Sequence, residues 1–224
     1  MVNPSTLNFL KELKENNNKT WFDEHRKEYE NAKSNYLRCA GDILAEMQKI
    51  DSSLEVLNPK DCIFRINRDV RFSADKSPYK TNLGIVLHPH GKKFNLAAYY
   101  LHIEPGSSFV GGGLWMPESQ LLQKLRKEIS YFYDDLKSVL DDPNFSNLYG
   151  DLDVEAGQKL SRPPKGYEAD DPAIEYLKLK SFTASTPIKD DVLMSEDMIS
   201  ACVKHFTSLK PFLSFINRCL MHGD

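Results

Sequence analysis

A short stretch of the chain concentrates side chains that can bind an anion. Residues 60–80 contain six basic side chains and three aspartates, a local charge of +3, whereas the 224-residue chain carries −3. Arginine offers a planar fork for phosphate or carboxylate, lysine a point charge and tyrosine a hydroxyl donor. The stretch therefore predicts an anion-binding site. Its candidate residues are Arg68, Asp69, Arg71, Asp75, Lys76, Tyr79 and Lys80.

The same charges also have a purely structural interpretation. In an anion site, Asp69 and Asp75 would orient the cations around a ligand. In the structural alternative, the two aspartates would pair internally with the cations and fasten a long loop onto the sheet, with no ligand involved. The residue types and their spacing leave both interpretations open.

The apolar pattern predicts how these side chains are presented. From Cys62 to Phe72 the even positions are mostly apolar and the odd positions mostly polar, which is typical of a strand with one buried face. We therefore expect Arg65, Asp69 and Arg71 on one face. Arg68 lies on the apolar side, so it marks either a bulge or the start of a loop.

Two further groups of residues are candidates for lining a ligand site. The glycine run that contains Gly112 and Gly113 lacks the spacing of a phosphate-binding loop, and such runs more often mark a bulge or a close backbone approach. Because a ligand can also lie against bare backbone, these glycines and Trp115 are candidates for a pocket wall. Tyr100 and Trp115 are candidates for a stacking surface.

Three histidines raise the question of a metal. His88 and His90 share one strand face, and His102 could lie across from them, which would suit zinc. Pro89 and Gly91 make this stretch turn-like, and histidines in turns are usually solvated. We predict no metal site.

The succession of hydrophobic periods predicts an α+β fold. Helical spacing covers residues 4–50, strand patterns lie within 62–115, and helical spacing dominates 117–221. We expect a single domain, 1–224, with a central, largely antiparallel sheet flanked by N-terminal and C-terminal helices. Beyond Cys62–Phe72, the predicted strands are Leu83–Leu87, Phe94–Ile103 as an interior strand, Phe109–Trp115 and Ser181–Ile188.

Composition excludes several classes of protein. The near balance of charge argues against a globally basic nucleic-acid binder, and no apolar run approaches the roughly 18 residues of a membrane helix. The N-terminal residues lack the apolar core of a signal peptide. The four cysteines, without any CxxC pair, are typical of reduced, mostly buried thiols. We expect a cytoplasmic protein with no membrane partner.

Four sequence blocks carry a resemblance to a known family. They are WFDEHRKEYE, RDVRFSADKSPYKT, YYLHIEPGSSFVGGGLWMP and PKGY, in this order along the chain. With these blocks the chain resembles an uncharacterised conserved family of bacteria and fungi, a domain of unknown function. The resemblance implies no reaction, substrate or cofactor. It implies that the polar stretch Arg68–Lys80 is a shared feature, and a shared polar loop favours function.

Three classes of function fit these observations. The first is binding of a small anionic or phosphate-bearing ligand in a basic cleft. The second is an enzyme acting on such a ligand, with Asp69 or Tyr79 as the proton carrier. The third is a nucleic-acid or protein interaction module, in which Tyr100 or Trp115 provides the stacking surface. A closed cleft would favour the first and an open patch with exposed aromatic side chains the third. The sequence leaves the cofactor and the oligomeric state open.

Overall fold

The computed structural model describes residues 1–89, 96–154 and 157–221. Across these ranges, nine α-helices accompany one sheet of four strands. The helices are α1 (Pro4–Glu15), α2 (Lys19–Glu24), α3 (Arg26–Gln48), α4 (Ser119–Tyr131), α5 (Tyr133–Asp141), α6 (Pro143–Tyr149), α7 (Ile174–Leu177), α8 (Asp190–Leu193) and α9 (Met198–Met221). The strands are β1 (Leu83–Leu87), β2 (Ala98–Ile103), β3 (Phe109–Leu114) and β4 (Phe182–Pro187). The protein is therefore an α+β protein, as the hydrophobic periods predict.

The sheet is an antiparallel meander with the strands in sequence order, β1-β2-β3-β4. The prediction of an interior strand is confirmed for Ala98–Ile103, because β2 lies between β1 and β3, whereas residues 96 and 97 precede the strand. Residues 94 and 95 of the predicted strand lie outside the described residues. The fourth strand comes from the region that we expected to be mainly helical, although its own residues carry the strand pattern.

The described residues group into two compact units. One comprises Met1–Lys92, Tyr100–Val110 and Pro187–Lys204, and the other comprises Lys93–Tyr99, Gly111–Thr186 and His205–Asp224. Each unit is described by itself below. The single domain over 1–224 stays a prediction.

In the first unit, α1 packs against α3. Pro4 suits the first turn of α1, where its missing N–H is not needed, and the apolar edge of the helix is buried at Leu10 and Leu13. Buried Asn35 on α3 accepts hydrogen bonds from the backbone N–H of Asn3 (2.7 Å) and from the Thr6 hydroxyl (2.9 Å). These bonds satisfy polar groups at the start of α1 and fix it on α3.

In the second unit, the core is built on the C-terminal part of α9. Phe206, Leu209 and Phe212 are fully buried there. Ring contacts extend this core, since Tyr99 of β2 packs on Phe206 and Phe145 of α6 packs on Phe212, at centroid distances of 5.3 and 5.8 Å. Aromatic burial of this kind contributes most of the stabilisation in a core of this size.

The cysteines match their prediction. No disulfide joins any of the four, all of which lie in described parts of the chain, and Cys39, Cys62 and Cys202 are buried. Burial raises the pKa of the Cys202 thiol to about 12. These thiols therefore pack as small apolar groups and are poor nucleophiles. No helix in the described ranges combines the length and the apolar character needed to span a bilayer.

Candidate functional site

Residues 65–80, called the basic loop here, form an irregular loop in the first unit. The prediction of a strand over Cys62–Phe72 is wrong: the segment pairs only through isolated antiparallel bridges, of which Asn67 to Tyr79 lies in the loop. The base of the loop is closed where the Lys80 N–H donates to the Ile66 carbonyl (2.8 Å). Serine, aspartate and proline between 73 and 78 favour local turns over a ladder, which explains why no regular strand forms.

The alternation of buried and exposed side chains nevertheless follows the predicted period for part of its length. Ile66 is buried, whereas Arg65, Asp69 and Arg71 are exposed. The pattern fails at Phe72, which we expected on the buried face and which is 95% exposed. The three charged residues thus share exposure to solvent, but they do not lie on one face of a strand.

Arg68 closes the basic loop from inside. Its guanidinium forms an ion pair with Asp75 and donates hydrogen bonds to the Ser77 carbonyl (3.1 Å) and the Ser73 hydroxyl (3.4 Å). Hydrogen bonds from Ser77, and then the contact with Arg68, lower the pKa of Asp75 to about 2. These contacts of Arg68 explain why an arginine occupies a position where the two-residue alternation predicts an apolar side chain. For Arg68 and Asp75, the structural interpretation accounts for the contacts.

Arg71 and Lys76 present their charges on the outside. Asp69 holds the Arg71 guanidinium by two bonds, Nε to Oδ1 (3.0 Å) and Nη2 to Oδ2 (2.7 Å), while the Arg71 side chain stays 76% exposed. The hydrogen bonds from Arg71 lower the pKa of Asp69. The Lys76 ammonium donates to the Val70 carbonyl (3.0 Å), and the charge of the exposed Arg65 adds a small effect that also lowers the pKa of Asp69. The exposed cations keep donors available for an external anion.

Tyr79 anchors the loop to the helices. Its buried ring stacks on Phe22 of α2 at 4.0 Å, and its backbone exchanges two hydrogen bonds with the Asn17 side chain (2.9 and 3.1 Å). The Lys80 ammonium lies 5.1 Å from the centre of the Phe64 ring at the base of the loop. Tyr79 therefore holds the basic loop in place and does not present its ring to solvent.

The remaining candidates of the pocket wall belong to the second unit. A Cβ on Gly112 would lie 2.6 Å from the Ala98 carbonyl oxygen, and one on Gly113 would meet the Phe182 carbonyl. Close approach of the neighbouring strands thus accounts for both glycines, as such runs usually indicate. Trp115 follows β3 and is 56% exposed.

Tyr100 lies in the first unit and belongs to a polar row that the sequence reasoning missed. Its hydroxyl is 3.0 Å from Nδ1 of His102, and Nε2 of His102 is 3.3 Å from Oε2 of Glu104. The Lys14 ammonium contacts the other Glu104 oxygen at 3.0 Å, and the His102 ring stacks on Phe109 at 4.7 Å with an interplanar angle of 9°. The sequence signal that could have identified this row is a polar residue at every second position from Tyr100 to Glu104, where the pattern predicts an interior strand.

Burial shapes the acidity of this row. It raises the pKa of Tyr100 to about 12. Burial would also raise the pKa of Glu104, but hydrogen bonds from Lys14 and His102 outweigh it, so that pKa lies below its ordinary value. Glu104 is therefore ionised and Tyr100 protonated at neutral pH. Within the described ranges, no group of three or more His, Cys, Asp or Glu side chains could hold a metal ion; His90 lies outside those ranges.

The fold and the site together define an α+β protein with an exposed basic loop fastened at its base. The chain belongs to the family described as "Conserved hypothetical protein (DUF2461)", whose model matches residues 5–215. This confirms the expected membership of an uncharacterised domain-of-unknown-function family. No curated protein matches the chain, and no solved structure does.

Proposed function

We propose that the basic loop binds a phosphate-bearing anion. One observation carries this proposal: Arg65, Arg71 and Lys76 hold exposed cationic groups on a loop that is fixed at several points. A loop already held in place loses little conformational entropy when it binds, so fewer contacts suffice for a given affinity. If the charges served only to fix the loop, Arg68 with Asp75 would be enough.

The contacts leave room for an anion at Arg71. Asp69 occupies Nε and Nη2, so the Nη1 edge of the guanidinium remains available for a phosphate oxygen. The local surplus of three positive charges between residues 60 and 80 attracts anions to this face. Because Arg65, Arg71 and Lys76 are exposed, the ligand would lie on the surface of the loop.

A screen of anions tests the proposal by thermal unfolding. Pyrophosphate, inorganic phosphate and a nucleoside triphosphate are added at constant ionic strength. At a hundredfold excess over Kd, a bound anion stabilises the fold by about 2.7 kcal/mol, which for a protein of this size raises Tm by roughly 5–10 °C. We expect one of the anions to give this shift, and the double variant Arg71→Ala, Lys76→Ala to lose it.

A matched variant removes the same charge elsewhere. Lys19 and Lys137 are exposed lysines, each paired with an aspartate four residues along a helix. Replacing both by alanine should leave the anion-induced shift intact. The proposal is wrong if no anion raises Tm more than sodium chloride does, or if the two double variants lose the shift equally.

Phe72 favours a second candidate, binding of single-stranded nucleic acid. It is 95% exposed, and the Arg71 guanidinium lies 5.8 Å from the centre of its ring. A base stacked on such a ring contributes about 1–3 kcal/mol, while neighbouring cations contact the backbone. This arrangement matches the open patch with an exposed aromatic side chain that we associated with nucleic acid.

The nucleic-acid candidate has its own test. We expect a fluorescent oligothymidylate to bind the protein in anisotropy titrations at low salt, and Phe72→Ala to weaken binding by roughly 5- to 100-fold, the equivalent of one lost stack. Tyr131→Ala removes an aromatic side chain that is also exposed, but outside the loop, and should leave the affinity unchanged. Equal effects of the two variants, or no binding, would contradict this candidate.

The enzyme alternative does not fit its original proton carriers. The pKa of Asp69 is lowered by Arg71, which makes the carboxylate a weak base, and the Tyr79 ring is buried against Phe22. A proton carrier for this class would have to come from the row at Tyr100.

We also propose a cytoplasmic location, which the absence of a disulfide among the four cysteines supports.

A further inference from the structure

Three polar side chains follow one another along the central strand of the first unit. Side chains alternate between the two faces of a strand, so Tyr100, His102 and the following Glu104 lie on the same side. The hydroxyl-to-imidazole distance is 3.0 Å and the imidazole-to-carboxylate distance is 3.3 Å. The row is largely buried, since the His102 and Glu104 side chains are 14% and 19% exposed.

The ionised carboxylate determines the direction of these hydrogen bonds. Glu104 can only accept, so His102 donates its Nε2 proton to Oε2. In the neutral imidazole, Nδ1 then carries the lone pair and accepts the hydrogen bond of the Tyr100 hydroxyl. Lys14 and Phe109 hold the carboxylate and the ring in this orientation. A hydroxyl donating to a base that a third group orients is the geometry of an activated nucleophile.

We propose that Tyr100, His102 and Glu104 form a nucleophile–base–acid triad that attacks a phosphoryl group. In the reaction, the Tyr100 oxygen forms a bond to phosphorus, the bond from phosphorus to its leaving group breaks, and the hydroxyl proton passes to Nδ1 of His102. The leaving group departs with the bonding electrons, and Glu104 stabilises the imidazolium. His102 can then return the proton to the leaving group.

One feature of the surroundings keeps the hydroxyl beside its base. Gly84 leaves space for the hydroxyl, because a Cβ there would lie 2.6 Å from the Tyr100 oxygen. A larger residue at position 84 would displace the Tyr100 phenol from its hydrogen bond with His102.

The phosphoryl substrate class rests on the proposed function. Tyr36 connects the two sites: its hydroxyl donates to the Gly84 carbonyl beneath Tyr100 and accepts the N–H of Phe64 (3.2 Å), just before the basic loop. The basic loop would hold the anionic part of a substrate while the triad attacks its phosphorus atom.

Diisopropyl fluorophosphate tests the triad on the intact protein. The reagent transfers its phosphoryl group to an activated hydroxyl with loss of fluoride, and peptide mass spectrometry locates the adduct. We expect Tyr100 to be labelled at least about tenfold faster than Tyr131, which is 81% exposed and serves as an internal reference. His102→Asn keeps an acceptor near the Nδ1 position but no base, and should slow labelling about 100-fold.

Glu104→Gln separates the charge of this carboxylate from its shape. The amide can still hydrogen-bond His102, but it no longer stabilises the imidazolium that forms when the proton leaves Tyr100. We therefore expect labelling of Tyr100 to slow in this variant.

A histidine outside the row provides the control variant. His25→Asn changes a histidine at the turn between α2 and α3 and should leave labelling of Tyr100 unchanged. The triad is overturned if wild-type Tyr100 reacts no faster than Tyr131, or if His102→Asn reacts as fast as wild type. The reagent is uncharged, so lost labelling reports on the triad, whereas the anion screen reports separately on the basic loop.

Discussion

Replacing Gly113 by alanine should lower the free energy of unfolding by about 2–6 kcal/mol. Gly113 has a φ of +133°, a conformation that costs a residue with a side chain about 1–3 kcal/mol. The new Cβ would also meet the Phe182 carbonyl and lie 2.7 Å from the Thr183 Cα. These are backbone atoms of the neighbouring strand β4 and cannot move without breaking the ladder, so overpacking adds roughly 1–3 kcal/mol. Urea denaturation of wild type and variant measures the difference.

Gly150 offers a matched control for the backbone conformation alone. It ends α6 with a φ of +72°, and a Cβ there would have nothing within 4 Å. Gly150→Ala should therefore cost only the strained backbone conformation (φ 72°, ψ −72°), about 1–3 kcal/mol. Equal losses in the two variants would show that the close approach of β4 does not explain the glycine run. A ligand that lies against the bare backbone would then be the better explanation for these glycines.

The sheet could be predicted closely because its signals are local. Turn sequences bracket the predicted strand Leu83–Leu87, which coincides with β1, and the strand Phe109–Trp115 differs from β3 only at its end. Gly and Pro limit the backbone at the turns regardless of the rest of the fold. The predicted helical region likewise begins at residue 4, where α1 begins, and Pro4 suits a first helical turn.

In the basic loop, the two-residue alternation of apolar and polar side chains predicts a strand that does not form. Alternation predicts which side chains face inward, and Ile66 is indeed buried, but it does not report whether a partner strand continues beside the segment. The partner of Arg68 is Asp75, seven residues further on, so the chain turns back on itself where a strand was expected. Phe72 is consequently left outside.

The row at Tyr100 could be anticipated only in part. From the sequence we single out Tyr100 as a candidate stacking residue and consider His102 for a metal before predicting no metal site, and the strand period places both on one face. The groups that fix their roles come from elsewhere, since Lys14 lies 90 positions before Glu104 on α1. Such contacts depend on the packing of helix on sheet, which no local pattern encodes.

Gly84→Ala tests whether the space for the Tyr100 phenol depends on a missing side chain. The new Cβ would lie 2.6, 2.8 and 3.0 Å from the oxygen, Cε2 and Cζ of Tyr100. The ring must therefore shift, and we expect a loss of about 1–3 kcal/mol in the free energy of unfolding. Urea denaturation measures the loss, and the ¹⁵N shift of His102 Nδ1 should report a broken hydrogen bond to the phenol.

The effect should depend on the residue at position 100. In a Tyr100→Leu background the atoms that crowd the new Cβ are gone, and alanine is favoured over glycine in a strand by roughly 0.5–1 kcal/mol. Gly84→Ala should then be neutral or slightly stabilising, so the double-mutant cycle should give a coupling of about 2 kcal/mol. An equal loss of unfolding free energy in both backgrounds would mean that the strand itself requires Gly84. The glycine would then play no part in placing the Tyr100 phenol beside His102.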